Sequence, residues 1–248
     1  MLHFDDIVFG PIYSRRLGSS LGVNILPSKG KLCNFDCVYC ECGWNRDGIS
    51  DGRFPTLEEI ETAMRLKFPV AGKVDSITFS GNGEPTLHPD FPAIVDLTLK
   101  LRDEFLPSAK ISVLSNATML SKDAVCRALM KIDNPILKLD APFNDMAKLI
   151  NRPGAAYDVE KVVENMKKFN GNFVLQTMFF RSEDFETLNE QSLNAWYSIV
   201  RTLKPREIMV YTIDRETPLK GLTKYSTEEM LIFAERLKQE GFNVKISG

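Results

Sequence analysis

The chain has 248 residues, of which 44% are hydrophobic, and this length fits one large α/β domain or two small ones. Its formal net charge is −2, and lysine and arginine are spread along the chain, so the composition does not indicate a long phosphate-binding surface. The apolar runs are too short to cross a bilayer, and the opening MLHFDDIVFG is acidic where a secretion signal would be basic. We therefore expect a cytoplasmic protein without a membrane segment.

Short β-branched or aliphatic runs recur along the chain and alternate with amphipathic segments of helical period. The predicted strands are SLGVNILP from Ser20, VDSITFS from Val74, KISVLSN from Lys110, ILKLDA from Ile136, FVLQTMFF from Phe173, EIMVYTI from Glu207 and FNVKIS from Phe242. Predicted helices include TLEEIETAMRLKF from Thr56, DVEKVVENMKKF from Asp158 and STEEMLIFAERLKQEG from Ser226. Thr56 with Glu59 and the Ser-Thr-Glu-Glu segment at Ser226 are typical of helix starts, and Gly241 is typical of a helix end.

This alternation repeats about every 30 residues or somewhat more, which implies parallel strands joined by right-handed helical crossovers. Seven predicted strands are one fewer than a closed eight-stranded barrel needs. The expected fold is therefore an α/β partial TIM-like barrel of about six βα units, a (β/α)6 arrangement of parallel strands. A flat doubly wound sheet is the alternative, and the succession of strands does not exclude it. Since no linker or repeat interrupts the pattern, we expect residues 1–248 to form a single domain.

One segment breaks the alternation, because almost thirty residues between Pro27 and the helix at Thr56 have little periodicity. Loops of this length in compact domains are usually functional or disordered. Sites in parallel α/β proteins form at the carboxyl ends of strands, and this loop follows the first predicted strand. It contains four of the five cysteines, namely Cys33, Cys37, Cys40 and Cys42. Such clustering makes a poor disulfide framework and favours a metal site.

The spacing in CNFDCVYC allows two kinds of metal centre. Four thiolates are a common zinc ligand set, but Cys40 and Cys42 are only two residues apart, and pointing both at one ion would strain an extended segment. Thiolates separated by three and two residues can instead hold three irons of an iron–sulfur cluster and leave one iron open. The spacing favours the cluster, and Cys42 is then interpreted as a free buried cysteine.

The segment CNFDCVYC, with Tyr39 before its last cysteine, resembles the signature of the radical S-adenosylmethionine superfamily. The preceding YSRRLGSSLGVNILP and the later SGNGEPTLHPDF resemble one branch of it, the small iron–sulfur oxidoreductases related to the tRNA wyosine-base synthases. The resemblance is strongest between Phe9 and Pro92 and continues to about Pro218.

The resemblance implies a [4Fe–4S] cluster whose fourth iron takes S-adenosylmethionine, and its implied ligands are Cys33, Cys37 and Cys40. An electron from the reduced cluster would split the sulfonium into methionine and a 5′-deoxyadenosyl radical that abstracts hydrogen from a substrate. The chain would then be a radical SAM enzyme of an oxidoreductase or lyase type. A reductant such as flavodoxin or ferredoxin is the expected partner.

The resemblance also implies contacts to the cofactor from residues at strand ends. SGNGEP could be a tight turn alone, yet its Asn-Gly-Glu occupies the superfamily's Gly-Gly-Glu position, which contacts the methionine amino group. The implied cofactor-binding residues are Tyr39, Asn82, Gly83, Glu84, Asn116, Asp140 and Gln176. For Asn116 and Asp140, a role as helix N-cap is the alternative.

Three arginines are candidates for binding an anionic substrate group, and a solvated surface position is the alternative for each. They are Arg15 in SRRLG, just before the first predicted strand, Arg152 in INRPG and Arg215.

Several substrates and functions remain open. A tRNA-base modifier follows the branch resemblance, but the absence of a cysteine before Cys33 and the near-neutral charge count against it. Activation of a glycyl-radical enzyme, or modification of a small molecule or peptide, fits the length. A non-catalytic zinc or iron–sulfur binding module is the alternative of another class.

Overall fold

The computed structural model describes residues 4–48 and 50–247, so the predicted domain limits, residues 1 and 248, lie outside the described residues. The strands are β1 (Val8–Ser14), β2 (Gly18–Val23), β3 (Ser76–Phe79), β4 (Lys110–Ser115), β5 (Asn134–Lys138), β6 (Val174–Met178), β7 (Phe180–Arg181), β8 (Glu207–Tyr211), β9 (Thr223–Lys224) and β10 (Val244–Ser247). The α-helices are α1 (Leu57–Lys67), α2 (Phe91–Phe105), α3 (Asp123–Lys131), α4 (Asn144–Ile150), α5 (Val159–Lys167), α6 (Glu190–Leu203) and α7 (Thr227–Gln239).

The main sheet has the strand order β1-β2-β3-β4-β5-β6-β8-β10, and every pair from β2 to β10 is parallel. Each crossover therefore moves the chain one position in the same direction. Right-handed crossovers of this kind leave the helices on one face, and the sheet curls so that its other face lines an interior. A doubly wound sheet would require the strand order to reverse. The partial TIM-like barrel is confirmed.

Each predicted strand overlaps an observed strand of this sheet, but β1 was not predicted. It pairs antiparallel with β2 at the edge of the sheet, and residues 10–13 are exposed. An edge strand with little buried surface lacks the apolar run or alternation that identifies strands in a sequence. The expectation that Arg15 precedes the first strand is therefore wrong, because Arg15 and its neighbour Arg16 lie in the turn between β1 and β2.

The predicted helices form α1, α5 and α7, and the capping signals predicted for the starts of α1 and α7 are confirmed. At the start of α1, Glu59 N donates to Thr56 Oγ1 at 3.2 Å and Thr56 N donates to Glu59 Oε2 at 2.8 Å. Ser226 and Glu229 form the same reciprocal pair at the start of α7. Each box satisfies backbone donors that the first turn of a helix leaves without partners.

The main core lies between the sheet and its helices, and a smaller apolar cluster fills the inside of the half-barrel. This inner cluster consists of Ile136, Val174 and Met209, with Leu17 and Leu114 packed against it. Leu17 comes from the turn after β1, whereas Met209 lies on β8 near the other side of the sheet. The turn therefore reaches across the open side of the half-barrel. Among the described helices, none is long and apolar enough to cross a membrane.

Candidate functional site

The loop that carries the cysteines (residues 24–56, the cysteine loop) is joined to the segment after β3 by backbone hydrogen bonds. Leu32 N donates to Asn82 O at 2.8 Å, and Glu84 N donates to Leu32 O at 3.0 Å. Gly83 pairs with Leu32 at φ +139°, and a Cβ on Gly83 would lie 1.9 Å from Leu32 O. Only glycine fits such an approach. The two sequence motifs are thus held side by side.

The four thiols of the cysteine loop line one cavity of about 200 Å³ at the carboxyl ends of the strands. Within residues 4–48 and 50–247, no three His, Cys, Asp or Glu side chains are close enough to hold a single ion. The other lining residues are Arg16, Lys31, Phe35, Tyr39, Gly81, Gly83, Glu84, Leu114, Ser115, Asn116, Lys138, Gln176 and Tyr211.

The thiols are largely buried, and two lysines, Lys31 and Lys138, lie close enough to influence them. Burial raises the pKa of Cys33, and burial likewise raises the pKa of Cys37 to about 11. The hydrogen bond between Cys40 and Cys42 lowers the pKa of Cys40 and raises that of Cys42. Burial opposes the charge of Lys31, but the neighbouring thiols, Cys40 foremost, raise its pKa. Buried thiolates need such positive charge, which a bound metal group also supplies.

Lys31 was not identified from the sequence as a site residue, although it is almost fully buried in the cysteine loop. Its Nζ donates to Gly43 O at 2.9 Å and to Asp36 Oδ1 at 3.3 Å. Asp36 Oδ1 also accepts from Asn45 N at 2.8 Å. The lysine therefore ties together both sides of the loop. A single lysine between glycine and leucine carries no pattern that would reveal this burial.

Glu84 presents a fixed carboxylate to the cavity. Its Oε1 accepts from Thr86 N at 3.1 Å, from Thr86 Oγ1 and from Ser115 Oγ at 2.9 Å, and its Oε2 accepts from Asn116 N at 2.6 Å. Burial raises the pKa of Glu84, and these donors oppose that rise. Three of these four donors share Oε1, so Oε2, which has a single donor, retains an acceptor position for a ligand.

Asn116 lies at the end of β4 beside the first thiol. Its Nδ2 donates to Asn34 Oδ1 at 2.7 Å and lies 3.8 Å from Cys33 Sγ. Its Oδ1 accepts from the backbone and the hydroxyl of Thr118, at 3.1 Å and 2.7 Å. The side chain thus stabilises its own turn and also faces the cavity.

Asp140 holds a buried network rather than facing the cavity. Its Oδ1 accepts from Met178 N at 2.9 Å, and its Oδ2 accepts from Tyr39 OH and from Asn151 Nδ2, the latter at 2.8 Å. Asn151 Nδ2 also lies 3.4 Å from Cys37 Sγ. Asn151 was missed by the sequence analysis, because an asparagine after a helix has no periodic or motif signal. The network links the second cysteine to strand β5.

The cavity wall away from the thiols is formed by the ends of β5, β6 and β8. Gln176 lines it, and its buried Nε2 has no hydrogen-bond partner among the described residues. Lys138 Nζ donates to Tyr211 OH at 2.5 Å and lies 3.7 Å from Asp140 Oδ2. Burial opposes the charge of Lys138, but Asp140 raises its pKa. An unpartnered buried donor is costly unless a ligand satisfies it.

Besides Asp140, four residues proposed from the sequence are not brought to the cavity. The side chain of Asn82 bonds the backbone of Phe4 and Pro27 instead, and it is 1% exposed. Three arginines have other partners, namely Arg15 with Asp214 at 3.0 Å, Arg215 with Glu41 at 2.5 Å and Arg152 over the ring of Trp44 at 4.6 Å. The neighbouring Arg16 lines the cavity instead.

Comparisons with known proteins identify relatives of the chain. A GTPase Obg of Brachyspira hyodysenteriae is 30% identical over 228 residues, which cover 90% of this chain and 32% of that protein. The UPF0026 protein slr1464 of Synechocystis sp. is 31% identical over 218 residues, covering 86% of this chain and 77% of that protein. The chain thus spans about a third of the first relative and about three quarters of the second.

Solved structures share the fold. The structure of SuiB from Streptococcus suis bound to S-adenosylmethionine superposes with a TM-score of 0.67 at 16% identity, over 92% of this chain and 50% of that chain. The relation to the wyosine-base synthases stays a prediction.

The family model described as the Radical SAM superfamily matches residues 28–190, which is more than half of the chain. The chain therefore belongs to the radical SAM superfamily of enzymes, whose cofactors are a [4Fe–4S] cluster and S-adenosylmethionine.

Proposed function

We propose that this enzyme reductively cleaves S-adenosylmethionine and uses the 5′-deoxyadenosyl radical to abstract hydrogen from a substrate. The observation that carries the proposal is the single cavity in which the thiols of the cysteine loop face Glu84 and the donors of β5, β6 and β8. When bound, the two cofactors would transfer the electron from a reductant and supply the radical, and the protein supplies binding, geometry and exclusion of water.

Cys33, Cys37 and Cys40 are the proposed ligands of three irons. Their fit to the cluster is supported by their burial and by donors next to the sulfurs: Phe35 N lies 3.4 Å from Cys33 Sγ, and Asn151 Nδ2 lies 3.4 Å from Cys37 Sγ. Hydrogen bonds to ligating sulfur stabilise the thiolate and orient it. Cys42 lines the same cavity, and we assign it as a thiol that does not ligate iron.

The proposed contacts to S-adenosylmethionine follow from the acceptors and donors that remain available. Glu84 Oε2 can accept from the amino group of the methionine part, and Gly83 lets the backbone come close to it. Gln176 Nε2 can donate to a ribose hydroxyl or carboxylate, and Asn116 lines the same cavity beside Cys33. Asp140 would act through Tyr39 and Asn151, which it holds in place.

The domain and partners complete the proposal. We propose that the described α/β unit is a radical SAM core domain that receives its electron from a reductant such as flavodoxin or ferredoxin. The substrate, whether a small molecule, a peptide or RNA, stays open in this proposal.

The test is anaerobic reconstitution with iron and sulfide, followed by reduction in the presence of S-adenosylmethionine. We expect a brown protein with about four irons per chain that forms 5′-deoxyadenosine. Alanine at Cys33, Cys37 or Cys40 should abolish iron loading, whereas Cys42→Ala should retain it. Cys126→Ala is the matched control, because Cys126 is a buried thiol in α3. An iron-loaded protein that forms no 5′-deoxyadenosine would refute the function, and loss of iron in Cys42→Ala would refute the ligand assignment.

A further inference from the structure

The turn between β1 and β2 (residues 14–18, the closing turn) lies across the open side of the half-barrel and is held there by contacts to other strands. Arg15 Nη2 bonds Asp214 Oδ2, beyond the end of β8, at 3.0 Å. Leu17 packs on the inner apolar cluster of the half-barrel. Between them, Arg16 places its guanidinium carbon 4.6 Å from the ring centroid of Tyr211 on β8. These contacts direct Arg16 into the cavity.

The cavity is lined by three cations, and their partners distinguish them. Lys31 bonds Gly43 O and Asp36, and Lys138 lies 3.7 Å from Asp140. Within residues 4–48 and 50–247, no carboxylate forms an ion pair with Arg16. A guanidinium stacked on an aromatic face keeps its N–H edge available for a bidentate anion. Among the three cations, Arg16 is therefore the one whose charge no carboxylate of the described residues neutralises, so it is available to bind an anionic ligand.

The neighbouring groups on this wall also offer donors. Tyr211 OH accepts from Lys138 Nζ at 2.5 Å, so its own O–H proton can be donated into the cavity. Gln176 Nε2, on the adjacent strand β6, has no acceptor among the described residues, but it is the proposed donor to S-adenosylmethionine, so Tyr211 is the donor that remains beside Arg16 for a substrate. A wall that presents donors next to an uncompensated cation favours a ligand rich in acceptors and negative charge.

We propose that Arg16 and Tyr211 bind a carboxylate or phosphate group of the substrate, on the wall of the cavity formed by β8 and the closing turn. The inference rests on the proposed function, since it identifies the second occupant of the cavity as the compound that loses hydrogen. It assigns the substrate to the anionic compounds, and Arg16 is its specificity-determining residue.

The test measures anion binding to the iron-loaded enzyme saturated with S-adenosylmethionine, by anaerobic titration calorimetry at constant ionic strength. Pyrophosphate and succinate are the probes, and glycerol is the uncharged control. We expect at least one anion to bind saturably, and the preferred probe distinguishes a phosphate from a carboxylate. Saturation with the cofactor matters because its own carboxylate is a competing occupant. If Arg16 binds that carboxylate, neither probe will bind, and the inference is overturned.

Variants separate the proposed contact from general charge effects. Arg16→Gln should weaken binding of the probe by about 10- to 100-fold, the range expected for a charge-assisted hydrogen-bonded pair. Tyr211→Phe keeps the ring under the guanidinium and should cause a smaller loss. Arg46→Gln is the matched control, because it removes the same charge from a side chain that is 81% exposed and does not line the cavity. It should change binding by less than about twofold.

Iron content and unfolding by urea establish that each variant is folded. If Arg16→Gln binds the probe as tightly as the unsubstituted enzyme does, the inference is overturned. If Arg16→Gln does not fold, an unchanged affinity of Tyr211→Phe for the probe overturns it. The inference and the proposed function can fail separately. If the enzyme forms 5′-deoxyadenosine but has no Arg16-dependent anion site, only this inference is refuted. If the iron-loaded enzyme has an Arg16-dependent anion site but forms no 5′-deoxyadenosine, the proposed radical chemistry is refuted and the anion-binding site stands.

Discussion

Replacing Gly83 by alanine tests whether the pairing of residues 32 and 83 assembles the site. The new Cβ would lie 1.9 Å from Leu32 O and 2.5 Å from the carbonyl carbon of Leu32, both backbone atoms that no rotamer change can move. Relief requires the two segments to separate, which breaks the hydrogen bonds from Leu32 N to Asn82 O and from Glu84 N to Leu32 O. Cys33 follows directly and would move with them.

The loss of stability in Gly83→Ala has two contributions, backbone strain at residue 83 and the two broken hydrogen bonds. A non-glycine residue at φ +139° is strained by about 1–3 kcal/mol. The two backbone hydrogen bonds contribute about 0.5–1.5 kcal/mol each, so the free energy of unfolding should fall by about 2–6 kcal/mol. Gly221→Ala is the matched control, because Gly221 has φ +80° and no atom lies within 4 Å of the place its new methyl group would occupy. Its loss should be about 1–2 kcal/mol.

The assays are urea unfolding of the iron-free, reduced protein and iron content after reconstitution. We expect Gly83→Ala to be destabilised more than Gly221→Ala and to lose most of its iron, whereas Gly221→Ala should load normally. If both variants lose the same free energy of unfolding and Gly83→Ala retains full iron, the pairing does not position the cysteines and the reasoning is refuted.

Three further substitutions address Glu84 in the cavity, Asn151 in the network of Asp140, and the buried His88 outside the cavity. Glu84→Gln should weaken binding of S-adenosylmethionine by about tenfold or more, since it removes the charge and points an amide donor at groups that donate; equal affinity by calorimetry would contradict this. Asn151→Leu should lower the free energy of unfolding by about 1–3 kcal/mol, because Asp140 loses a donor while remaining buried, and an unchanged urea midpoint would contradict it. Burial lowers the pKa of His88, so the folded state binds its proton less tightly than the unfolded chain, and the free energy of unfolding should fall as the pH drops below about 6.5. His88→Gln should remove that part of the pH dependence, and an identical pH profile would exclude the effect.

Local signals in the sequence were sufficient for much of the fold. The strands of the main sheet after β1 were recognised because buried parallel strands are short apolar runs, and the starts of α1 and α7 because capping is a contact within four residues. The cysteine spacing indicated an iron–sulfur cluster for the same reason, since its three thiols lie within eight residues. The edge strand β1 escaped because its exposed residues have no such pattern.

The composition of the cavity wall depended on contacts between distant parts of the chain. Tyr39 and Asp140 are 101 residues apart in sequence and bond directly, and Asn151 reaches Cys37 across 114 residues. The sequence could not distinguish Arg15 from Arg16, because adjacent side chains in a turn point in different directions and only the packing of the closing turn against β8 decides which one enters the cavity. The sequence alone therefore predicted the groups whose members are neighbours in the chain, such as the three cysteines and the helix caps. Which residues face one another across the half-barrel depends on the curl of the sheet, and only the tertiary structure shows it.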